Sequence, residues 1–288
     1  MRTAIYGSKR QYGAFKYVAD FLGVLASRGD SVVMHRKLYL HLCEHIPEAM
    51  SAVDTVVDGN DFEADLAVSL GGDGTFLRTA MWVGEKEIPI IGVNTGHLGY
   101  LAALSIEQLP QLPDLIAGDY LRIERRSLLE VSEPELPEHV GRYALNEVAI
   151  AKDESASMIQ AQVSLGRLPL GEYRADGLIV CTSTGSTAYN LSVGGPIVQP
   201  TVDVCIISPV AAHSLSMRPL VVEAGTPITI VPGGRAPHIR IALDGRSTLL
   251  DAGTPVTLVR APFKVLVMQA AGHTFADTLR TKLHWGEN

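Results

Sequence analysis

LAVSLGGDGT, residues 66–75, is the stretch on which the reading of this 288-residue chain turns. Leu66–Leu70 is a short apolar run of the kind buried on both faces of a parallel sheet. Beyond the glycines, Phe76, Leu77, Ala80, Met81 and Val83 recur at helical spacing. The order is therefore strand, glycine loop, helix. Glycines admit a ligand close to the backbone, and a helix N-terminus presents unpaired N–H groups, so the loop is a candidate phosphate cradle. It is not a P-loop, which needs a lysine after G-x-x-x-x-G, and it lacks strict G-x-G-x-x-G spacing. Its unusual member is Asp73, a negative side chain where an anion is expected. Such a carboxylate has two uses there, as a ligand to a phosphate-bound divalent cation or as acceptor of a proton from an attacking hydroxyl. A plain Asp-Gly hairpin turn is the ordinary alternative, weakened here because the loop joins a strand to a helix.

Alternation continues on both sides. Residues 3–6, Ser31–His35 and 88–93 read as strands, and 14–28 as a helix with Phe15, Val18, Leu22 and Leu25 on one face. These βαβ units predict an α/β domain with a parallel, Rossmann-like sheet over residues 1–115. The 88–93 strand leads into NTGHLGYL, residues 94–101, which would share the ligand edge of that sheet with GGDGT, with His97 as a structural hydrogen-bonding group. After a capping-box helix start at Ser105, helical periodicity fades. Strand-like runs follow at 128–132, 144–151, 160–165, 178–181, 204–207, 227–231, 239–243 and 256–259, predicting a β-rich, sandwich-like domain over 116–268. Residues 269–288 form a tail, helical from 272 to 283, that is expected to return to the first domain.

Composition excludes several classes. Apolar residues make up 47% and charged residues 19%, which is globular and not disordered. A net charge of −7 argues against broad capture of nucleic acid or anionic membrane. No apolar run resembles a signal peptide or a membrane span. Cys43, Cys181 and Cys205 are too scattered for a disulfide framework or a metal pair, so free thiols and a cytoplasmic location are expected. No cage of protein ligands for a metal is expected either.

Two further segments carry polar chemistry. Asn146 and Glu147 stand inside the apolar run YALNEVAIA, where a donor–acceptor amide beside a carboxylate suits a sugar diol or a base edge; an edge strand facing solvent is the alternative. Between Tyr173 and Pro196 lie Arg174, Asp176 and the turn TSTGSTAY, with six hydroxyl-bearing residues from Thr182 to Tyr189. Such a turn suits a polar ligand, with Tyr189 available to stack on a flat ring. A serine-hydrolase role is disfavoured because no G-x-S-x-G elbow occurs.

GGDGT, NTGHLGYL, LNEVAI and TGSTAYNLSVGGP, in that order, resemble the NAD kinases over essentially the whole chain. GGDGT alone is shared with lipid and sugar kinases; the combination is specific. The resemblance implies transfer of the ATP γ-phosphoryl group to the 2′-hydroxyl of the adenosine ribose of NAD, with Mg²⁺ arriving on ATP. It implies Asp73 as proton acceptor and Gly71, Gly72, Gly74 and Thr75 as the phosphate loop. By the same resemblance Asn146 and Glu147 hold the adenosine end and Asp176 the nicotinamide amide. Asp73, Gly74, Arg78, Arg174, Thr187, Ala188, Tyr189, Asn190, Leu191, Ser192, Ala211 and Arg246 complete the implied NAD contacts. It further implies a homo-oligomer, a dimer or tetramer formed through the β-rich domain. Three departures stand out: Ser183 where the family has a proline, which would loosen the turn; VAAHSLSMRP (Val210 to Pro219) in place of PHTLSNRP; and Asp244-Gly245-Arg246 in place of D-G-Q. Arg246 would either favour a phosphate-bearing ligand or pair with a surface acid. The competing functions are a lipid or sugar kinase of the same loop type and a non-catalytic dinucleotide sensor, the latter disfavoured by retention of Asp73.

Overall fold

The computed structural model describes residues 1–8, 13–96, 99–153 and 158–286. In chain order its first elements are β1 (Arg2–Gly7), α1 (Phe15–Ser27), β2 (Ser31–His35), α2 (Arg36–Cys43), β3 (Thr55–Val57), β4 (Leu66–Leu70), α3 (Asp73–Val83), β5 (Ile90–Asn94), β6 (Leu104–Ser105), α4 (Leu112–Ala117) and β7 (Leu121–Glu133). Then come β8 (Tyr143–Ala144), β9 (Glu147–Lys152), β10 (Ile159–Leu165), β11 (Leu168–Ala175), β12 (Gly177–Thr182), α5 (Tyr189–Ser192), β13 (Val204–Val210) and β14 (Leu220–Glu223). The last are β15 (Ile228–Gly233), β16 (His238–Leu243), β17 (Arg246–Asp251), β18 (Val256–Ala270) and α6 (Phe275–Leu283). The chain divides into two compact units, Met1–Arg125 with Val265–Asn288, and Arg126–Lys264. The sequence reading places the change at 115/116 and the tail after 268.

In the first unit the strands run parallel in the order β3-β2-β1-β4-β5, and residues 267 and 268 of β18 pair with Ile90 and Ile91. Every residue of β4 and β5 is buried, as strands covered on both faces require. Chain order reverses between β1 and β4, the switch point at whose carboxyl edge ligands bind in open α/β sheets. The core gathers Ile5, Val68, Leu70, Ile91 and Val93 of the sheet against Val18, Phe21, Leu22 and Leu25 of α1. Helix α2 lacks the usual cap residue. The ring of His35 accepts from the Lys37 N–H at 3.3 Å instead, which explains why α2 carries no start signal in the sequence.

The second unit is built of antiparallel strands in two groups, β11-β10-β15-β18 and the six-stranded β14-β13-β12-β9-β16-β17. Alternate residues of these strands, among them Val148, Ile150, Ala161, Val163, Leu178, Val180, Ile230 and Ile241, form one core. On the other face of β12, Ile179, Cys181 and Ile206 pack with Val193 and Val198. The architecture is thus an α/β unit with a parallel sheet and a sandwich-like β-rich unit. Strands β11, β14 and β17 are additions to the sequence reading; Pro169 and Gly171 interrupt the pattern of β11, and β17 leaves alternate residues half in water.

Candidate active site

The loop after β4 turns directly into α3, with Gly72 as N-cap and Asp73 in the first turn, where a negative charge is favoured by the helix dipole. Thr75 and Phe76 donate their N–H groups to Gly72 O at 2.8 and 3.1 Å, and Gly71 N–H reaches Val93 O at 2.9 Å, which ties the loop to β5. Gly72 and Gly74 are exposed, and Thr75 is buried with its hydroxyl accepting from Arg78 at 3.2 Å. The Asp73 carboxylate does not point freely into water. Its Oδ2 accepts from Tyr100 N–H at 2.9 Å and its Oδ1 from Leu101 N–H at 3.0 Å. The N–H groups of Tyr100 and Leu101 therefore aim the carboxylate, and a β-carbon on Gly99 would lie 2.0 Å from Oδ1. Gly99 is not among the site residues expected from sequence. His97 lies outside the described residues. Burial, then the Asp73 charge, pushes the Tyr100 phenol above its ordinary value, and its hydroxyl is buried without a hydrogen-bond partner among the described residues.

In the second unit the Asn-Glu pair is fixed by a residue ninety-odd positions away. Asp244 sits at φ +47 in the turn between β16 and β17. Its Oδ2 accepts from Leu145 N–H at 2.8 Å, and its Oδ1 from Asn146 and Glu147 N–H at 2.9 and 3.1 Å. Three successive backbone donors on one carboxylate are charge-assisted bonds, about twice as strong as neutral ones. Burial pushes the Asp244 carboxyl up, while these donors and then Arg246 pull it back. The Arg246 guanidinium donates to Leu243 O at 3.2 Å, Val140 O at 2.7 Å and Tyr143 O at 2.6 Å. Only the Asp-Gly turn signal is legible at 244. That signal gives no hint of the bracing.

Glu147 is left in an unusual state. Burial first, then the Asp244 charge, pushes its carboxyl up to about 7, opposed by a bond from the Tyr189 N–H, and its Oε2 is buried with no partner among the described residues. A buried acceptor without a donor suits a ligand hydroxyl. The TSTGSTAY turn lies against this pair. Thr182 N–H donates to Asn146 O at 2.9 Å, Thr182 Oγ1 to Leu145 O at 2.6 Å, and a β-carbon on Gly185 would lie 2.1 Å from Asn146 O. The hydroxyls of this turn are mostly used internally. Ser183 donates to Val202 O, so in place of the family's proline it ties the turn down where a loosening was expected. Ser186 exchanges bonds with Val198 at 3.0 and 3.1 Å, and Thr187 donates to Thr184 O at 3.4 Å. Asn190 is fully buried, donating to Ser186 O and Pro196 O and accepting from Ser208. Its side chain is occupied by the fold. Thr187, Ala188 and Leu191 are half-buried, whereas Tyr189 and Ser192 are exposed.

A separate cluster assembles Arg174, Asp176 and Ala211. Asp176 N–H donates to Val210 O, and His213 N–H to Arg174 O, each at 2.9 Å. The Asp176 carboxylate pairs with Lys152 at 2.9 Å and has His213 Nε2 at 4.0 Å, while Arg174 is turned to Glu172 at 2.6 Å. Ala211 is exposed at φ +48. Cys43, Cys181 and Cys205 are free, and burial pushes the Cys181 thiol far up and Cys205 up to about 12. Among the described residues, His41, Glu44 and His45 lie close enough together to hold a metal, a group that the sequence reading does not single out. No described helix is long and apolar enough to cross a membrane.

Residues 12–120 match the model of the ATP-NAD kinase N-terminal domain, and 145–270 that of the ATP-NAD kinase C-terminal domain. An NAD kinase from Bacteroides fragilis is 39% identical over 286 residues, covering 99% of this chain and 98% of that protein. One from Porphyromonas gingivalis is 40% identical with the same coverage. A yeast NADH kinase solved with NADH shares the fold at TM-score 0.88 and 21% identity, over 100% of this chain and 89% of that one. An NAD kinase from Archaeoglobus fulgidus solved with ATP gives 0.72 at 25% identity over 94% of each chain. With an aspartate held at a helix N-terminus in one unit and a glutamate in the other that has one buried oxygen without a partner among the described residues, sequence and structure converge: the chain belongs to the NAD kinase family.

Proposed function

We propose that this protein transfers the γ-phosphoryl group of ATP to the 2′-hydroxyl of the adenosine ribose of NAD, giving NADP and ADP. The observation that carries the reading is Asp73, whose two oxygens are held by the N–H groups of residues 100 and 101 at the mouth of a helix N-terminus. In the reaction the ribose oxygen forms its bond to the γ-phosphorus as the bond to the β-phosphate oxygen breaks. The hydroxyl proton passes to Asp73 late in a loose transition state, so the carboxylate need not ionise the alcohol beforehand. The N–H groups of the loop and α3 stabilise phosphate charge without reorganising. Asn146 and Glu147 hold the adenosine end, the unpartnered Glu147 Oε2 accepting from a ribose hydroxyl. Asp176 accepts from the nicotinamide amide. Thr187, Ala188, Tyr189, Leu191 and Ser192 line the dinucleotide.

The loop offers one carboxylate, and both of its oxygens already have amide donors. That donor set fits Mg²⁺ carried by ATP, since this ion keeps waters and phosphate oxygens as ligands. When bound it would offset the negative charge that develops on the phosphates. The free thiols support a reducing, cytoplasmic setting, and self-association through the β-rich unit belongs to the same reading.

The test is turnover of NAD with ATP and Mg²⁺, read by an NADP-specific dehydrogenase. Asp73→Asn is expected to lower kcat by about 10²–10⁴ while NAD binds within a few-fold. Wild-type turnover that survives the substitution removes Asp73 from the chemistry, and absent turnover with retained NAD binding favours a sensor.

A further inference from the structure

We propose that His41, Glu44 and His45 form a binding site for a divalent transition metal, with Zn²⁺ the best match, separate from the metal carried by ATP. One ligand atom of each of the three lies within 4.8 Å of the others. The residues read H-x-x-E-H, and His41 and His45 are one helical turn apart. Although α2 ends at Cys43, Glu44 keeps helical angles, and the N–H groups of His45 and Ile46 both reach Leu42 O, at 3.0 and 2.8 Å. The turn is thereby extended far enough to keep all three side chains on one face.

The two rings are prepared for ligation in different ways. His45 Nδ1 stands 2.8 Å from His41 O, and a carbonyl only accepts, so Nδ1 carries the proton and Nε2 keeps its lone pair. Metal-bound histidines are oriented by this kind of bond to a backbone carbonyl. His41 Nε2 is buried with no hydrogen-bond partner among the described residues, an uncommitted nitrogen that calls for an explanation. Phe15 stacks on the His45 ring at 4.3 Å and 16° and lies 5.8 Å from the His41 ring. A ring on the imidazole face restrains rotation and leaves the in-plane lone pair open. Tetrahedral Zn²⁺ with bonds of about 2.0–2.2 Å spaces its ligand atoms about 3.4 Å apart. Closing from at most 4.8 Å is within reach of a rotamer change in the exposed Glu44, with the His45 ring kept where Phe15 and His41 O hold it. Two imidazoles and one carboxylate leave the fourth position to water, which also suits this metal. Hard Mg²⁺ or Ca²⁺ would not choose imidazole ligands.

The test is isothermal titration of the full chain, freed of metal, with zinc chloride, alongside magnesium chloride. One Zn²⁺ per chain is expected, with no heat from Mg²⁺ at this site. Glu44→Gln and His45→Ala should each weaken Zn²⁺ binding by at least about tenfold, the loss seen when even a supporting partner of a metal ligand is removed. Both change exposed side chains, and unchanged NAD kinase turnover and far-ultraviolet circular dichroism show that the variants are folded. Cys43→Ser should keep the site. Unaltered Zn²⁺ affinity in the His41→Gln/His45→Gln double variant overturns the proposal, as does loss of binding on Cys43→Ser.

Discussion

Glu147→Gln separates what the buried carboxylate does to the folded chain from what it does for a ligand. In the folded protein this carboxyl is pushed from 4.5 up to about 7, first by burial and then by Asp244. Below pH 4.5 the group is protonated in both states and costs nothing. Between pH 4.5 and 7 the unfolded chain ionises while the folded chain holds the proton, so stability falls as pH rises. Above 7 both forms are charged and the penalty is constant. A gap of this size corresponds to about 3 kcal/mol. Glutamine has the shape of the protonated form and does not titrate. The variant is therefore expected to be more stable than the wild type by about 3 kcal/mol at pH 8 and equal to it at pH 4, by urea denaturation at matched ionic strength. NAD affinity should move the other way. Loss of charge-assisted bonds to ribose hydroxyls costs about 1.5–3 kcal/mol, a Kd weaker by about 10- to 150-fold at pH 8. The reasoning is refuted if the glutamine variant gains no stability in the free protein at pH 8, or if NAD binds both forms alike.

The other predictions concern residues that place the site. Gly99→Ala puts a carbon 2.0 Å from Asp73 Oδ1 and displaces the carboxylate, so kcat should drop about 10- to 100-fold with NAD affinity nearly kept. Unchanged kcat would mean that residues 99–101 do not aim Asp73. Asp244→Asn turns an NH₂ group toward one of three N–H donors; thermal unfolding should show a loss of about 1–3 kcal/mol. Removing that charge should also lower the pH midpoint of NAD binding, because Asp244 is the second cause of the raised Glu147 carboxyl. Ser183→Pro restores the family's residue at φ −58, which proline adopts without strain. Its gain of about 0.4–1 kcal/mol in unfolded-state entropy should roughly cancel the lost hydroxyl bond to Val202, leaving the urea midpoint almost unmoved.

Much of the fold is legible because its signals are local. Strand-like LAVSL followed by glycines and a helical stripe can hardly be anything but β4, a loop and α3. The Asn-Glu pair stands out because two polar side chains in an apolar run need partners. What escapes depends on distant residues. Asp244 braces Leu145, Asn146 and Glu147 across a register that brings β16 beside β9, and Leu243 opposite Val148. No pattern near residue 244 announces that pairing. The hydroxyls of TSTGSTAY read as ligand-binding because composition cannot tell a donor that is free from one spent on Val202 or Val198. Asn190 shows the same limit: an amide in a polar turn looks available until the fold closes around it. Helix α2 goes unread because a histidine serves as its cap, and the H-x-x-E-H group goes unread with it.

The carboxylate of Asp244 also has a consequence for motion. The amides of residues 145–147 bond to a side chain on the turn after β16, so they cannot exchange hydrogen with water while that turn is in place. Opening of 145–147 and of 244–246 becomes one event, with the guanidinium of Arg246 releasing the carbonyls of Val140 and Tyr143 in the same step. Two stretches of chain almost a hundred residues apart thus breathe as a single cooperative patch, and the acceptor atoms at Glu147 are presented or withdrawn together with it.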